Sequence, residues 1–282
     1  MITVTGTKAN ARIALSGKWG TAFGITFCYF LLEFVLGFIT SLFDENKFLS
    51  FILSILELLI TIPISYGLVV SYMKLKRNEY VSAFDFLTIG LSNFSRAWSV
   101  ALCQLAKMII PIILFIISMF IFALGSVGNI FGALVSRASS YSSLMAIGFL
   151  LFFSSGIYLF VKGLSLVFSF HIAYDNPTLP AMEACNRSAE IMQGNKGTYF
   201  LLLLSYMLWI IVPYILFIII FGASVSLLNV FVKAFLLIFY FIILNFYLIP
   251  SVNVSTICFY DQLIHKNDKH IEQDNNQNFN II

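Results

Sequence analysis

The chain contains apolar stretches that, as helices, are long enough to cross the hydrocarbon core of a membrane. Six can be drawn, at about residues 21–43, 48–72, 99–125, 142–170, 198–223 and 231–260. A helix needs roughly 20 apolar residues to cross a core of about 30 Å. Backbone groups find no water there, so each stretch is predicted to be a helix rather than a barrel strand. The pattern predicts an all-α, polytopic bundle of six transmembrane helices.

Composition excludes several classes of protein. The 282 residues are 60% hydrophobic and only 10% charged, whereas soluble domains carry about 25% charged residues. The formal net charge of +3 is too small to indicate a nucleic-acid partner. Cys28, Cys103, Cys185 and Cys258 lack the paired spacing of zinc or redox sites. We therefore expect no metal and no cofactor.

Basic residues predict the orientation. With six spans both termini lie on one side, and the segments of that side hold eleven basic residues against three in the opposite loops. The eleven are Lys8, Arg12, Lys18, Lys74, Lys76, Arg77, Arg96, Arg187, Lys196, Lys266 and Lys269; the three are Lys47, Arg137 and Lys233. The positive-inside rule then predicts cytoplasmic N and C termini. We expect a cytoplasmic segment 1–20, a membrane domain 21–260 and a disordered cytoplasmic tail 261–282.

Two segments between the spans have the pattern of amphipathic helices lying at the membrane interface. In 80–98 the apolar residues Val81, Phe84, Leu87, Leu91, Phe94 and Trp98 recur at helical spacing, and in 179–192 Met182, Cys185, Ala189 and Met192 do so. We predict interfacial contacts for Phe84, Phe94, Trp98, Met182 and Met192. These helices grip lipid headgroups, dock a partner, or simply cover the cytoplasmic mouth of the bundle.

Short motifs repeat along the chain. "GKWGTAF" (17–23) and "GNKGTYF" (194–200) share G-x-x-G-T-x-F before a span, and "SRAWSV" (95–100) occupies the equivalent place before the third. "IIPIILF" (109–115) resembles "IVPYILF" (211–217). The repeats indicate three related hairpin units, as membrane folds often contain. The alternative is chance similarity between low-complexity apolar sequences.

Four charged residues fall inside the spans: Glu33, Glu57, Lys107 and Lys162. A charge at mid-bilayer costs roughly 2.5–3.5 kcal/mol on insertion scales, so such groups usually face protein or water. Glu33 and Glu57 each lie twelve residues from Glu45, which predicts equal depth in an antiparallel hairpin. The lysines either meet these glutamates or extend toward the cytoplasmic headgroups. The four residues either bind an ion, a proton or an amphiphile, or hold the helices together.

The end of the fourth span carries a polar motif. Pro177 cannot continue a helix and Gly194 ends the short helix that follows. Asp175 and Asn176 are explained by helix termination, with ligand contact as the alternative. His171 marks the cytoplasmic end of the span.

The segment "DNP…EA…S…IMQGNKGTYFLLLLSYMLW" (175–209), with "SGKWG" near the N terminus and "LKRNEYVSAFDFLTIG" after the second span, resembles a bacterial integral-membrane family, domain of unknown function 975. The arrangement is also similar to the membrane domain of some glycerophosphodiester phosphodiesterases. The resemblance implies a multi-pass protein of the bacterial cell membrane and assigns no catalytic residues. Gly197 stands where the family ordinarily has a bulky aromatic residue.

No catalytic motif is visible: the chain has no H-E-x-x-H, G-x-S-x-G or Walker loop. We therefore expect a protein without enzymatic activity that binds or shields a lipid, a membrane-active peptide or a membrane-protein partner. The alternative is a small proton-coupled transporter or exporter of an amphiphile, with Glu33 and Glu57 as the coupling pair. An intramembrane enzyme is the third hypothesis.

Overall fold

A computed structural model describes residues 2–134, 140–222, 232, 235, 238–240, 242 and 244–279. Within these residues the secondary structure is entirely helical. The α-helices are α1 Val4–Leu15, α2 Trp19–Ser41, α3 Lys47–Lys76, α4 Asp85–Ser92, α5 Phe94–Leu134, α6 Ser140–Leu166, α7 Ser169–Asp175, α8 Ala181–Ile191, α9 Lys196–Gly222 and α10 Ile249–Phe279. A π-helical turn, Leu244–Leu248, precedes α10.

Four of these helical stretches are long and apolar enough to cross a membrane: Trp19–Ser41, Lys47–Lys76, Phe94–Asn129 and Ser143–Asp175. They coincide with the first four predicted spans, so the prediction of long, membrane-length helices is confirmed for these four, and the fold is consistent with a membrane protein. Helix α9 covers most of the fifth predicted span. The sixth, 231–260, lies partly outside the described residues, so a total of six spans stays a prediction.

Local sequence explains where several helices begin. The side chains of Thr3 and Asn46 cap α1 and α3, because each accepts a hydrogen bond from a backbone N–H of the first turn, at 3.3 and 3.2 Å. Gly17 and Gly194 have φ angles of +75° and +71°, which glycine adopts without steric cost. Each glycine follows a short helix and precedes a long one, so the G-x-x-G-T-x-F motif opens with the same turn twice.

The chain forms two compact units. The first contains Met1–Trp98, Phe170–Pro177 and Gly197–Ile282, and the second contains Ser99–Ser169 and Thr178–Lys196. In the first unit, the buried residues of the α2–α3 hairpin lie at one end, namely Ala22, Ile25 and Thr26 of α2 and nine residues between Pro63 and Leu75 of α3. The other half of this hairpin keeps large apolar side chains exposed, among them Phe34 (70%) and Phe48 (74%).

Helix α4 packs on α3 through two glycines. A Cβ atom on Gly67 would lie 1.9 Å from the carbonyl oxygen of Phe86, and one on Gly90 would lie 2.4 Å from that of Pro63. The two backbones therefore approach more closely than any side chain allows. Phe86 is fully buried in this contact.

Pro63 lies inside α3 and leaves one backbone carbonyl without its helical hydrogen bond, which another residue supplies. Proline has no N–H, so the carbonyl of Leu59, four residues earlier, loses its helical donor. The indole Nε1 of Trp98 donates to this oxygen at 3.2 Å. Trp98 thus satisfies a backbone group that hydrocarbon cannot.

The second unit is a tight α5–α6 hairpin with α8. Cβ atoms on Gly125 and Gly148 would lie 2.5 Å and 2.6 Å from backbone atoms of Met145 and Phe122. Ser118 and Ser155 are buried and hydrogen bonded at 2.8 Å between the two helices.

Helix α8 is held to the end of α6 by Ser188. Its hydroxyl donates to the carbonyl of Ser165 at 2.9 Å and accepts from the N–H of Phe168 at 3.2 Å. Ser188 therefore satisfies one backbone carbonyl and one backbone N–H where the helix is interrupted between α6 and α7.

Three sequence predictions need correction here. Segment 80–98 is not one helix, since Asn93 separates α4 from α5, and the buried face of α4 is Phe86 and Gly90. In α8 the buried residues are Ala184, Cys185, Ser188 and Ile191, whereas Met182 is exposed. Residues 261–266 are helical rather than disordered, because Leu263 is buried and Gln262 accepts a hydrogen bond from Thr7 at 3.3 Å.

The glycine contact predicts the effect of single methyl groups. Gly67→Ala and Gly90→Ala place a Cβ against backbone that cannot move aside, so each should lower the unfolding free energy by about 3 kcal/mol or more. Gly20→Ala and Gly37→Ala are matched controls, since nothing lies within 4 Å of their Cβ positions. Thermal melts followed by tryptophan fluorescence in detergent would measure both. Equal melting temperatures for the two pairs would contradict this contact.

Candidate functional site

A line of polar side chains lies between α2 and α3, inside the predicted membrane span. We call this line the seam; it consists of Tyr29, Glu33, Thr40, Glu57, Thr61 and Ser65. The hydroxyl of Thr40 donates to Glu57 Oε2 at 2.9 Å. The carboxyl group of Glu33 lies beside the hydroxyls of Tyr29 and Thr61 and within electrostatic range of Glu57. The sequence prediction that the two glutamates lie at similar depth thus agrees with their shared position in the seam.

The seam is not fully hydrogen bonded. Glu33 Oε1 and Thr61 Oγ1 are both buried, and neither has a hydrogen-bond partner among the described residues. A buried polar atom without a partner costs about 1–3 kcal/mol. A proton, an ion or a ligand donor at Glu33 would offset that cost.

The two lysines predicted as site residues, Lys107 and Lys162, both lie in the second unit. Lys107 Nζ donates to Asn186 Oδ1 of α8. Lys162 is exposed, and its Nζ lies 5.8 Å from the centre of the Tyr158 ring. Among the described residues, neither lysine forms an ion pair.

The five predicted interfacial residues differ in exposure. Phe84 and Phe94 are exposed by 58% and 41%, and Met182 by 46%. Met192 is fully buried, and Trp98 binds the Leu59 carbonyl. Their contact with a membrane interface stays a prediction.

A charged cluster at the end of the first unit was missed by the sequence analysis. Arg77 donates to both carboxylate oxygens of Asp175, at 2.6 and 2.9 Å, and the hydroxyl of Tyr260 donates to the same carboxylate at 3.0 Å. Lys76 forms an ion pair with Asp261 of α10. We call these five residues the Asp175 cluster; it joins the ends of α3 and α7 to α10.

The electrostatics of the Asp175 cluster favour the charged form of Arg77. Hydrogen bonds to Asp175 raise the pKa of Arg77, which therefore stays cationic throughout the accessible pH range. Asp175 thus does more than end a helix. The signal in the sequence was the opposite charge of "LKR" after the second span and "DNP" after the fourth, both predicted to be cytoplasmic.

The cluster borders an open cleft of about 370 Å³ in the first unit. Its lining comes from α1, the end of α3 and α10, namely Asn10, Ile13, Ala14, Lys76, Cys258, Asp261, Gln262 and His265. Lys76 and Asp261 neutralise each other there. Among the described residues no group of three His, Cys, Asp or Glu side chains could hold a metal ion.

The Asp175 cluster predicts a stability effect. Asp175→Asn removes the charge from a bidentate ion pair that is partly exposed, so the unfolding free energy should fall by about 1–2 kcal/mol. Glu183→Gln, which changes an exposed carboxylate of α8, is the matched control and should leave stability unchanged. Chemical denaturation in detergent would measure both. Equal stability of the two variants would show that the ion pair contributes nothing.

Comparison with known proteins identifies the family and nothing more specific. No curated protein and no solved structure matches the chain. The similarity to phosphodiesterase membrane domains is therefore not shown. A family model matches residues 1–267, and on that match the chain belongs to the family described as "Protein of unknown function (DUF975)".

Proposed function

We propose that this chain is a non-enzymatic, multi-pass membrane protein that binds an amphiphilic partner along the α2–α3 hairpin. The partner is a lipid, a membrane-active peptide or another membrane protein. The observation that carries the proposal is the seam, in which two carboxyl groups lie within a half-hairpin whose outer surface is apolar and exposed. An amphiphile has a polar group for the carboxyl groups and an apolar part for the exposed apolar surface.

The apolar half of the hairpin supports this proposal. Phe38 and Phe51 are 54% and 64% exposed, in addition to Phe34 and Phe48. So much continuous apolar surface requires lipid or an apolar partner to cover it. An acyl chain or the apolar face of a helix would do so.

The carboxyl groups define the polar part of the ligand. Carboxylates accept hydrogen bonds, and the free Oε1 of Glu33 lacks a donor. An amine or hydroxyl group on the ligand supplies that donor. A cationic amine would also neutralise the charge of the carboxylate.

The surroundings of the buried cysteine Cys185 support the non-enzymatic part of the proposal. A nucleophile needs an adjacent base or a lowered pKa. Burial instead raises the pKa of the Cys185 thiol, which keeps it in the unreactive thiol form. Of the remaining cysteines, Cys258 is buried, and Cys28 and Cys103 are half-buried.

A second candidate is a proton-coupled transporter of an amphiphile. It is favoured by the position of Glu33 within electrostatic range of Glu57 in the seam, since carboxyl groups inside membrane spans often mark proton pathways. Liposomes containing the protein, with an imposed pH gradient and a fluorescent alkylamine, would test it. Gradient-dependent flux lost in Glu33→Gln would support transport; absence of flux in the wild type would exclude it for this substrate.

We also propose that the protein lies in the bacterial cell membrane with both termini in the cytoplasm, and that its hairpins are three related units. The equal glycine turns at Gly17 and Gly194 support two of these units. With an even number of spans and most basic residues on one side, the positive-inside rule gives this orientation.

Cysteine labelling tests the orientation. In a cysteine-free background, Glu45→Cys between α2 and α3 should react with a membrane-impermeant maleimide on intact cells. Asn78→Cys, at the other end of α3, should react only after permeabilisation. The reverse result would place the termini outside.

Ligand capture tests the proposed binding function. Full-length protein in nanodiscs should bind a dansyl-labelled alkylamine more tightly than its uncharged N-acetyl analogue. Glu33→Gln and Glu57→Gln should each weaken this binding at least about tenfold, equivalent to about 1.4 kcal/mol. Glu45→Gln is the control, because Glu45 is an exposed carboxylate of the adjacent loop. If the seam variants melt at lower temperature but bind the amine unchanged, the seam is structural and the proposal fails.

A further inference from the structure

The two intramembrane lysines lie at the same depth of the second unit. Gln104 of α5 donates to the carbonyl of Leu166 of α6 at 3.1 Å. One turn further along, a Cβ atom on Gly163 would lie 3.9 Å from Cε of Met108. Lys107 and Lys162 are the immediate neighbours of this contacting pair. They therefore occupy the same level on adjacent helices.

Helix length places that level at the edge of the hydrocarbon. On α5, Lys107 is followed by 27 residues without a charge to the end of the helix, Met108–Leu134. On α6, the 22 residues Ser140–Val161 precede Lys162, also without a charge. At 1.5 Å per residue these stretches measure about 40 and 33 Å, long enough to cross the hydrocarbon thickness of about 30 Å on the far side of each lysine.

The chain beyond the lysines has the properties of the headgroup zone. Before Lys107, α5 carries Ser95, Arg96, Ser99 and Gln104. Beyond Lys162, Leu164, Ser165 and Leu166 of α6 are buried by protein. A four-carbon side chain at this boundary places its ammonium group among headgroups. This arrangement favours the headgroup alternative over a pairing at mid-bilayer.

Protein groups leave both positive charges available. The described partner of Lys107 is the neutral amide oxygen of Asn186, which cannot cancel a charge. The described partner of Lys162 is the Tyr158 ring at 5.8 Å, close to the outer limit of about 6 Å for a cation–π interaction. Neither lysine pairs with a carboxylate within the described part of the chain.

From these observations we infer that Lys107 and Lys162 form a binding site for the phosphodiester headgroup of an anionic phospholipid. The exposed side chains on the Lys162 face of α6, Tyr158 one turn away and Leu151 three turns away, would contact its acyl chains. Charge complementarity selects an anionic lipid over a zwitterionic one, because a basic residue near an anionic surface contributes about 1 kcal/mol, or about fivefold. This site lies in the second unit and uses neither glutamate, so it does not rest on the proposed function.

Native mass spectrometry of the full-length protein with added lipid tests the site. Wild-type protein should retain phosphatidylglycerol in preference to phosphatidylcholine with the same acyl chains. Lys162→Gln should weaken phosphatidylglycerol binding about fivefold, and the double variant with Lys107→Gln about thirtyfold, if each lysine contributes independently. Lys162 makes no described hydrogen bond, so its replacement should leave the fold intact.

Matched variants make the outcome decisive. Lys47→Gln removes an exposed lysine at the start of α3, in the first unit, and this variant should bind the lipid like the wild type. Lys162→Arg keeps the charge and should also bind like the wild type. Equal affinity for the two lipids, or unchanged binding in the Lys162→Gln, Lys107→Gln double variant, would overturn the site. Displacement of the lipid by excess inorganic phosphate would overturn the lipid assignment, because it would show a site for free phosphate.

Discussion

Hydrocarbon offers no hydrogen bonds, and this constraint governs the structure at every level. It makes the long apolar segments helical, because only a helix satisfies its own backbone groups. Where a proline interrupts that pattern, another group must supply the missing donor. In α3 the donor is the indole of Trp98, which reaches the carbonyl that Pro63 leaves free. Trp98 of α5, a side chain predicted to lie at the interface, is thereby tied to α3.

The same constraint explains how the helices pack. Between apolar helices in lipid, close backbone contact contributes more than further apolar side chains, because lipid is as apolar as leucine. Glycine allows that contact at Gly67 and Gly90 in the first unit and at Gly125 and Gly148 in the second. Hydroxyl pairs such as Ser118 and Ser155 add hydrogen bonds across the interface. Both units therefore combine small residues with buried hydroxyls.

Sequence reasoning predicted those features that depend only on the length and local composition of a segment. The thickness of the hydrocarbon fixes the length of a span, so four long helices were recognisable from apolar runs alone. The partners of Asp175 were not, because Arg77 and Tyr260 lie 98 and 85 residues away in the sequence. The buried face of α4 was also missed, since it is set by contact with Gly67 rather than by its own periodicity. A hairpin converts equal spacing from the loop into equal depth, and Glu33 lies within electrostatic range of Glu57.

The length of the charged side chains accounts for the different surroundings of the intramembrane acids and bases. A glutamate has two methylenes and cannot reach water from within a span, so it must find donors on the neighbouring helix. Thr40 is such a donor to Glu57, and Glu33 is left with one unsatisfied oxygen. A lysine has four methylenes and reaches the headgroups from inside the hydrocarbon edge. The acids therefore need a partner within the protein or a ligand, whereas the bases can take one from the membrane.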